Sequence, residues 1–275
     1  ERNCLNTSSL GTGELIWDAI DKGARQIYLF IGGSATTEAG LGILQALGIN
    51  AINKGQILPP VGSSLVDITE FDTSGLKIEP QELEFIVVCD VRNPLYGPQG
   101  AAFVYAPQKG ADQQAVHLLD KGLRNFADII RQQRGLNVHD FEGSGAAGGI
   151  AAGIKSFFPA RIQRGIDTIM ELVDLRTALS RADLVITGEG KLDGQTLEGK
   201  VIAGVHGLCK IAGKKLAVIC GSSTLTPEQT RDMGFWEVQP LVKDDIPMQE
   251  ALDNAFELVS KRAFELLSAR SFNDL

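Results

Sequence analysis

Short apolar runs rich in β-branched residues alternate along the chain with longer amphipathic stretches. QIYLFI before Gly32, EFIVVC before Asp90, ADLVIT before Gly188 and KKLAVIC before Gly221 each stop at glycine or a polar turn, as buried strands do. Between them GELIWDAIDKGA, AGLGILQALG, QQAVHLLDKGLRNFADIIRQQRG, GIDTIMELVDLRTALSR and LEGKVIAGVHGLCKIAG carry the helical period. The tail MQEALDNAFELVSKRAFELLSAR does too. In it Ala251, Ala255, Leu258, Val259 and Ala263 recur at helical spacing and predict one buried face. Strands alternating with helices of this length predict an α/β fold with largely parallel pairing. Residues 50–80 read as turns and a short hairpin covering an edge, and the stretch from ADLVIT onward as a β-α-β-α-β run. The glycine-rich stretch 143–153 marks the expected boundary, giving a first domain over 1–155 and a second over 156–275.

Composition narrows the class without naming a function. The chain has 275 residues, 44% hydrophobic and 22% charged, which excludes collagen, a disordered tail and a disulfide scaffold. Its 26 basic against 34 acidic side chains leave a net charge of −8, opposed to a sequence-independent grip on nucleic acid. Glycine supplies 31 residues while aromatics reach only 6%, a balance that favours tight backbone turns over stacking platforms. No apolar run approaches the ~18 residues of a membrane span, and ERNCLNTSSLGTGELI holds no signal-peptide core. Cys4, Cys89, Cys209 and Cys220 form no C-x-x-C pair and read as buried free thiols of a reducing, cytoplasmic compartment.

In open α/β sheets ligands bind where loops leave the carboxyl ends of strands. Here those loops are GGSATTEAG, CDVRNPLYGPQG, GEGKLDGQT and GSSTLT, which suit phosphate, metal or small polar ligands. Gly32-Gly33-Ser34-Ala35-Thr36-Thr37-Glu38 reads as a turn opening a helix, where backbone amides attract an anion and Ser34 and Thr36 add donors. Ser34 or Thr36 as a plain N-cap, with Glu38 in the first turn, uses the same geometry. GSGAAG at 143–148 spells G-x-G-x-x-G but follows the polar NVHDFE instead of a buried strand. It therefore fails as a dinucleotide fingerprint and reads as a mobile loop leading into a close-packed helix. Gly194 to Lys200 matches half of a P-loop, yet Val201 stands where the magnesium hydroxyl belongs. What remains there is Glu189, Lys191 and Asp193, able to hold magnesium, neutralise phosphate and accept a proton. Asp90, at a strand end, reads either as a metal or hydroxyl ligand or as a structural turn residue. His117, His139 and His206 are scattered and read as non-catalytic.

TGELI at 12–16, IGGSAT at 31–36, CDVRNPLYGPQGAAFVYAPQKGA at 89–111, GSGAAGGIAAG at 143–153, DLVITGEGKLDGQTLEGK at 183–200 and VICG at 218–221 occur in that order. On these motifs the sequence resembles the bacterial-type (type I) glycerate kinases, which phosphorylate D-glycerate with ATP. The resemblance implies two unlike α/β domains, one flavodoxin-like with a parallel sheet that is incomplete in this chain, and an active site between them. It implies that Gly32, Gly33, Ser34, Thr36, Asp90, Gln108, Lys109, Gly188, Gly190 and the Glu189–Asp193 segment gather round ATP, Mg2+ and glycerate. Within that implied site, side-chain chemistry assigns Asp193, then Asp90, to the substrate hydroxyl proton and Lys191 or Lys109 to phosphate oxygens. Glu189 and Asp90 are the metal carboxylates. The sequence reads Thr37-Glu38 where the family usually has Asn-Asp, and lacks the family's opening DSFKGS and GDGGEGT motifs. A small-molecule kinase without nucleic-acid or membrane partners is therefore expected. A catalytically incomplete fragment that retains only nucleotide or ligand binding is the alternative, and homo-oligomerisation is left open.

Overall fold

The computed structural model describes residues 2–194, 201–243 and 246–268. The chain forms two compact units, residues 1–165 and 166–275. The first contains α1 (Leu10–Asp21), β1 (Gln26–Phe30), α2 (Leu41–Ala46), β2 (Asn50–Asn53), β3 (Gln56–Ile57), β4 (Glu70–Asp72) and β5 (Glu84–Val88). It continues through α3 (Ala101–Tyr105), α4 (Gln113–Arg134), α5 (Ile150–Phe157) and β6 (Ala160–Gln163). Because β6 pairs in parallel with β5, residues 156–165 lie with the first unit, beyond the boundary expected at 155.

In this unit β1, β5 and β6 make a three-stranded parallel sheet in the order β1-β5-β6. EFIVVC lies at its centre, which is why Phe85, Ile86 and Val87 are fully buried and the run shows no alternation. Residues 50–72 form a separate antiparallel sheet, β3-β2-β4, that does not pair with the parallel one. Helix α4 is set by its ends. The Asp112 carboxylate accepts from the Ala115 amide at its start, and Gly135 takes the left-handed conformation after Arg134. Its buried stripe of Val116, Leu119, Leu123, Phe126 and Ile130 joins the core around Leu44, Phe85 and Phe157.

The second unit contains α6 (Gly165–Leu172), α7 (Leu175–Ser180), β7 (Leu184–Leu192), α8 (Val201–Ala212), β8 (Lys215–Ser223), α9 (Pro227–Asp232), β9 (Glu237–Pro240), α10 (Met248–Asp253) and α11 (Ala255–Ser268). Its sheet is parallel, in the order β7-β8-β9, and the β-α-β-α-β run is present as read. Two expected long helices are broken. The stretch 165–181 splits at Asp174, which is left-handed (φ +48°), and the tail splits at Asn254. Ala251 is buried in the tail, but Val259 is 42% exposed and lies off the face predicted for it. Mixed α/β architecture with parallel sheets is what the alternation of elements required.

Candidate active site

Parallel pairing of β1 with β5 sets Phe30 beside Val88, so the two strands release their following loops side by side. The Ile31 amide still reaches the Val88 carbonyl at 3.4 Å, and beyond it Gly32 to Ser34 face Cys89 to Val91. A third wall comes from α3 and the 3-10 turn Pro107–Lys109, which bring Tyr105, Gln108 and Lys109. Ala146 and Ala147 complete the lining of a cavity of about 190 Å³. At Gly33 (φ +74°) a side chain would be strained, and the space above its Cα is open.

Lys109 is 7% exposed, and its ammonium donates to Ser34 Oγ at 2.9 Å and to the Thr36 carbonyl at 2.6 Å. Burial pulls its pKa down to about 8, against the opposing pull of Cys4 and Glu38. Glu38 is fully buried. Its carboxylate accepts from the Gly40 amide at 3.1 Å and the Gly42 amide at 2.8 Å. Desolvation still pushes its pKa up to about 7, outweighing those bonds, a Ser9 hydroxyl bond and the Lys109 charge. At the cavity mouth Asp90 is exposed, and its Oδ1 accepts from the Gly165 amide at 2.9 Å. Tyr105 donates to Asn93 Oδ1 at 2.6 Å, which fixes the ring in the wall.

Gly32, Gly33, Ser34, Asp90 and Lys109, all expected from sequence, line this one cavity. Thr36 does not. Its side chain is buried, its hydroxyl has no hydrogen-bond partner among the described residues, and its contribution is the carbonyl that holds Lys109. The loop also does not open a helix where the sequence suggested, because α2 starts only at Leu41 after a left-handed Gly40. Ser34 and Thr36 are therefore not caps. The carboxylate of Glu38 takes that role, through the Gly42 amide in the first turn.

The GSGAAG stretch is packed, not mobile: Ser144, Ala146 and Gly148 are buried, and the Gly148 carbonyl accepts from the Ala39 amide at 2.9 Å. Tyr105 was missed by sequence reasoning. Its signal was its place immediately before Ala106-Pro107-Gln108-Lys109, on the short helix that delivers the lysine.

In the second unit Gly188, Glu189, Gly190 and Lys191 are not in a loop; they form the carboxyl half of β7, with Glu189 opposite Cys220 and Lys191 opposite Ser222. The pairing extends because KKLAVIC continues as a strand through Gly221 to Ser223. The Lys191 ammonium lies 3.2 Å from Asp193 Oδ2. Burial, with Glu189 adding to it, pushes the Cys220 thiol up to about 11. The P-loop-like residues 195–200 lie outside the described residues. No three His, Cys, Asp or Glu side chains gather to hold a metal among the described residues, and no described helix is long and apolar enough to cross a membrane. His117, His139 and His206 each pack against an aromatic ring: Phe103, Tyr96 and Phe235 respectively.

The model of the glycerate kinase family matches residues 1–270. The chain belongs to the glycerate kinase family. It is 38% identical over 264 residues to a protein of Bacillus subtilis strain 168 named glycerate kinase, covering 96% of this chain and 69% of the relative. Against Escherichia coli K12 glycerate 2-kinase it is 39% identical over 262 residues, covering 95% of this chain and 69% of the relative. The crystal structure of a Salmonella typhimurium LT2 protein named for glycerate kinase 2 superposes with a TM-score of 0.83 at 38% identity, covering 98% of this chain and 71% of that one. The Lys109 cavity and the β7 carboxyl end thus lie within a glycerate kinase family chain.

Proposed function

We propose that the chain transfers the γ-phosphoryl group of ATP to a hydroxyl of D-glycerate, releasing ADP and the hydroxyl proton. The observation that carries the reading is the cavity at the carboxyl ends of β1 and β5, where a family member's Lys109, Ser34 and Asp90 converge. Phosphoryl transfer asks a protein mainly for positioning and charge stabilisation, and these are the groups that supply both. In the second unit, Asp193 accepts the hydroxyl proton, Lys191 neutralises phosphate oxygens, and the backbone of Gly188 and Gly190 lets the nucleotide approach. The Lys191 ammonium, 3.2 Å from Asp193 Oδ2, lies beside the assigned proton acceptor.

Magnesium suits this donor set. It is usually held by one or two carboxylates, with phosphate oxygens and water completing the shell, so no three-carboxylate cluster is needed. Glu189 is the carboxylate of the second unit that would hold it, and the bound ion would neutralise phosphate charge.

A coupled ADP-release assay with D-glycerate, ATP and magnesium tests the reading. Glycerate-dependent ADP formation is expected, and Asp193→Asn lowers kcat by roughly a hundredfold or more. Calorimetric binding of ATP or glycerate without any turnover would reject catalysis and leave a ligand-binding module.

A further inference from the structure

The anion that the first unit's cavity takes can be narrowed by what surrounds Lys109. Lys109 is buried, only 7% exposed as a residue, and the two hydrogen-bond partners of its ammonium, Ser34 Oγ and the Thr36 carbonyl, are both neutral. Among the described residues no carboxylate lies within ion-pair distance of it. Glu38 and Cys4 act on it without a direct ion pair, and a buried cation with no ion-pair partner is costly unless something else supplies one. An ammonium carries three donors and two are used, so one remains for a ligand atom.

The cavity beside it is about 190 Å³. Sites for drug-sized ligands run to roughly 300–1,000 Å³, so the cavity matches a three-carbon acid better than a whole adenine nucleotide. Its charge also points away from a triphosphate: it offers one cation, and Asp90 in the same lining would repel phosphate oxygens while accepting from hydroxyls. Ile31, Ala146 and Ala147 give the carbon chain an apolar wall.

We infer that this cavity is the subsite for a small hydroxy acid, with Lys109 and Ser34 reading its carboxylate, Asp90 facing its hydroxyl end, and the nucleotide held elsewhere. The inference rests on the kinase reading only for which acid is bound. It moves Gly32, Gly33, Ser34 and Lys109 from the nucleotide to the acceptor substrate.

Calorimetric titration of the purified chain with D-glycerate, and separately with the nonhydrolysable ATP analogue AMP-PNP and magnesium, decides it. Lys109→Met should weaken glycerate binding by roughly thirtyfold, the loss of one charge-assisted contact, and leave AMP-PNP within about twofold. Ser34→Ala, which leaves every charge in place, should weaken glycerate by about fivefold and serves if the methionine variant does not fold. Cys4 and Glu38 act on the ammonium, and the titratable Cys89, Asp90 and Tyr105 line the same cavity. With Lys109 near 8, glycerate affinity should fall about tenfold between pH 7 and pH 9 as the ammonium loses its proton.

Loss of AMP-PNP binding with glycerate binding intact in Lys109→Met would overturn the assignment. So would a wild-type chain that does not bind glycerate. The kinase reading is judged separately by turnover: a chain that binds glycerate through Lys109 without releasing ADP keeps this inference and loses that one.

Discussion

Glu38 shows how burial outweighs hydrogen bonding at a single residue. Two backbone amides and the Ser9 hydroxyl all favour its ionised form, yet it sits at about 7 because no water reaches it. Between pH 4.5 and 7 the folded chain therefore binds a proton at this site that the unfolded chain has released, so stability falls as pH rises through that window. The contribution is complete below about 4.5 and gone above 7, on the order of 3 kcal/mol in all. Glu38→Gln removes the titration. Urea unfolding of both forms from pH 4.5 to 7.5 should show the wild type losing stability relative to the variant across the window; parallel curves would refute the assignment. The sequence placed Glu38 in the first turn of a helix; it instead precedes α2 and accepts from the Gly42 amide, and its depth was not legible. Depth depends on Gly148, Gly149 and Gly153, more than a hundred positions away, packing over residues 36–40.

At the scale of elements, the same contact separates glycines that look alike in sequence. Gly153 lies within α5, and a Cβ there would stand 1.9 Å from the Ala39 carbonyl oxygen, a backbone atom that cannot swing aside. Gly11 lies within α1 with nothing within 4 Å of the same position. Gly153→Ala should therefore destabilise by about 3 kcal/mol through overpacking. Gly11→Ala should stabilise by roughly 0.5–1 kcal/mol through helix propensity. Opposite shifts in urea midpoint are expected, and Gly153→Ala should also weaken glycerate, since Ala39 belongs to the loop that holds Lys109. A Gly153→Ala variant as stable as wild type would contradict the close approach. Elements themselves were largely legible: every apolar β-branched run became a strand, and in β5 and β8 burial on both faces of a parallel sheet leaves the run no other environment. Where they end was not. β7 and β8 extend into segments read as loops because their partners continue alongside them, and the 165–181 helix breaks at an aspartate that tolerates the left-handed conformation.

At the scale of the molecule, each unit has cores of its own. One cluster is drawn from residues between Cys4 and Phe158; two smaller ones are drawn from residues between Leu179 and Ala251, and no residue is shared. The larger cluster includes Phe85, Phe126 and Phe157, whereas among the described residues the second unit's clusters hold one phenylalanine, Phe235, with residues mainly of β8 and α8. Burial of apolar area sets most of the stabilisation, so the units should not unfold as one two-state system. Scanning calorimetry should resolve more than one transition, the higher belonging to residues 1–165. D-glycerate should raise only that one, because a ligand stabilises only the state that holds it, by about 2.7 kcal/mol at a hundredfold excess over Kd. AMP-PNP with magnesium should raise the other. A single transition that both ligands raise equally would mean that the acid and nucleotide sites do not divide between the units as their residues do.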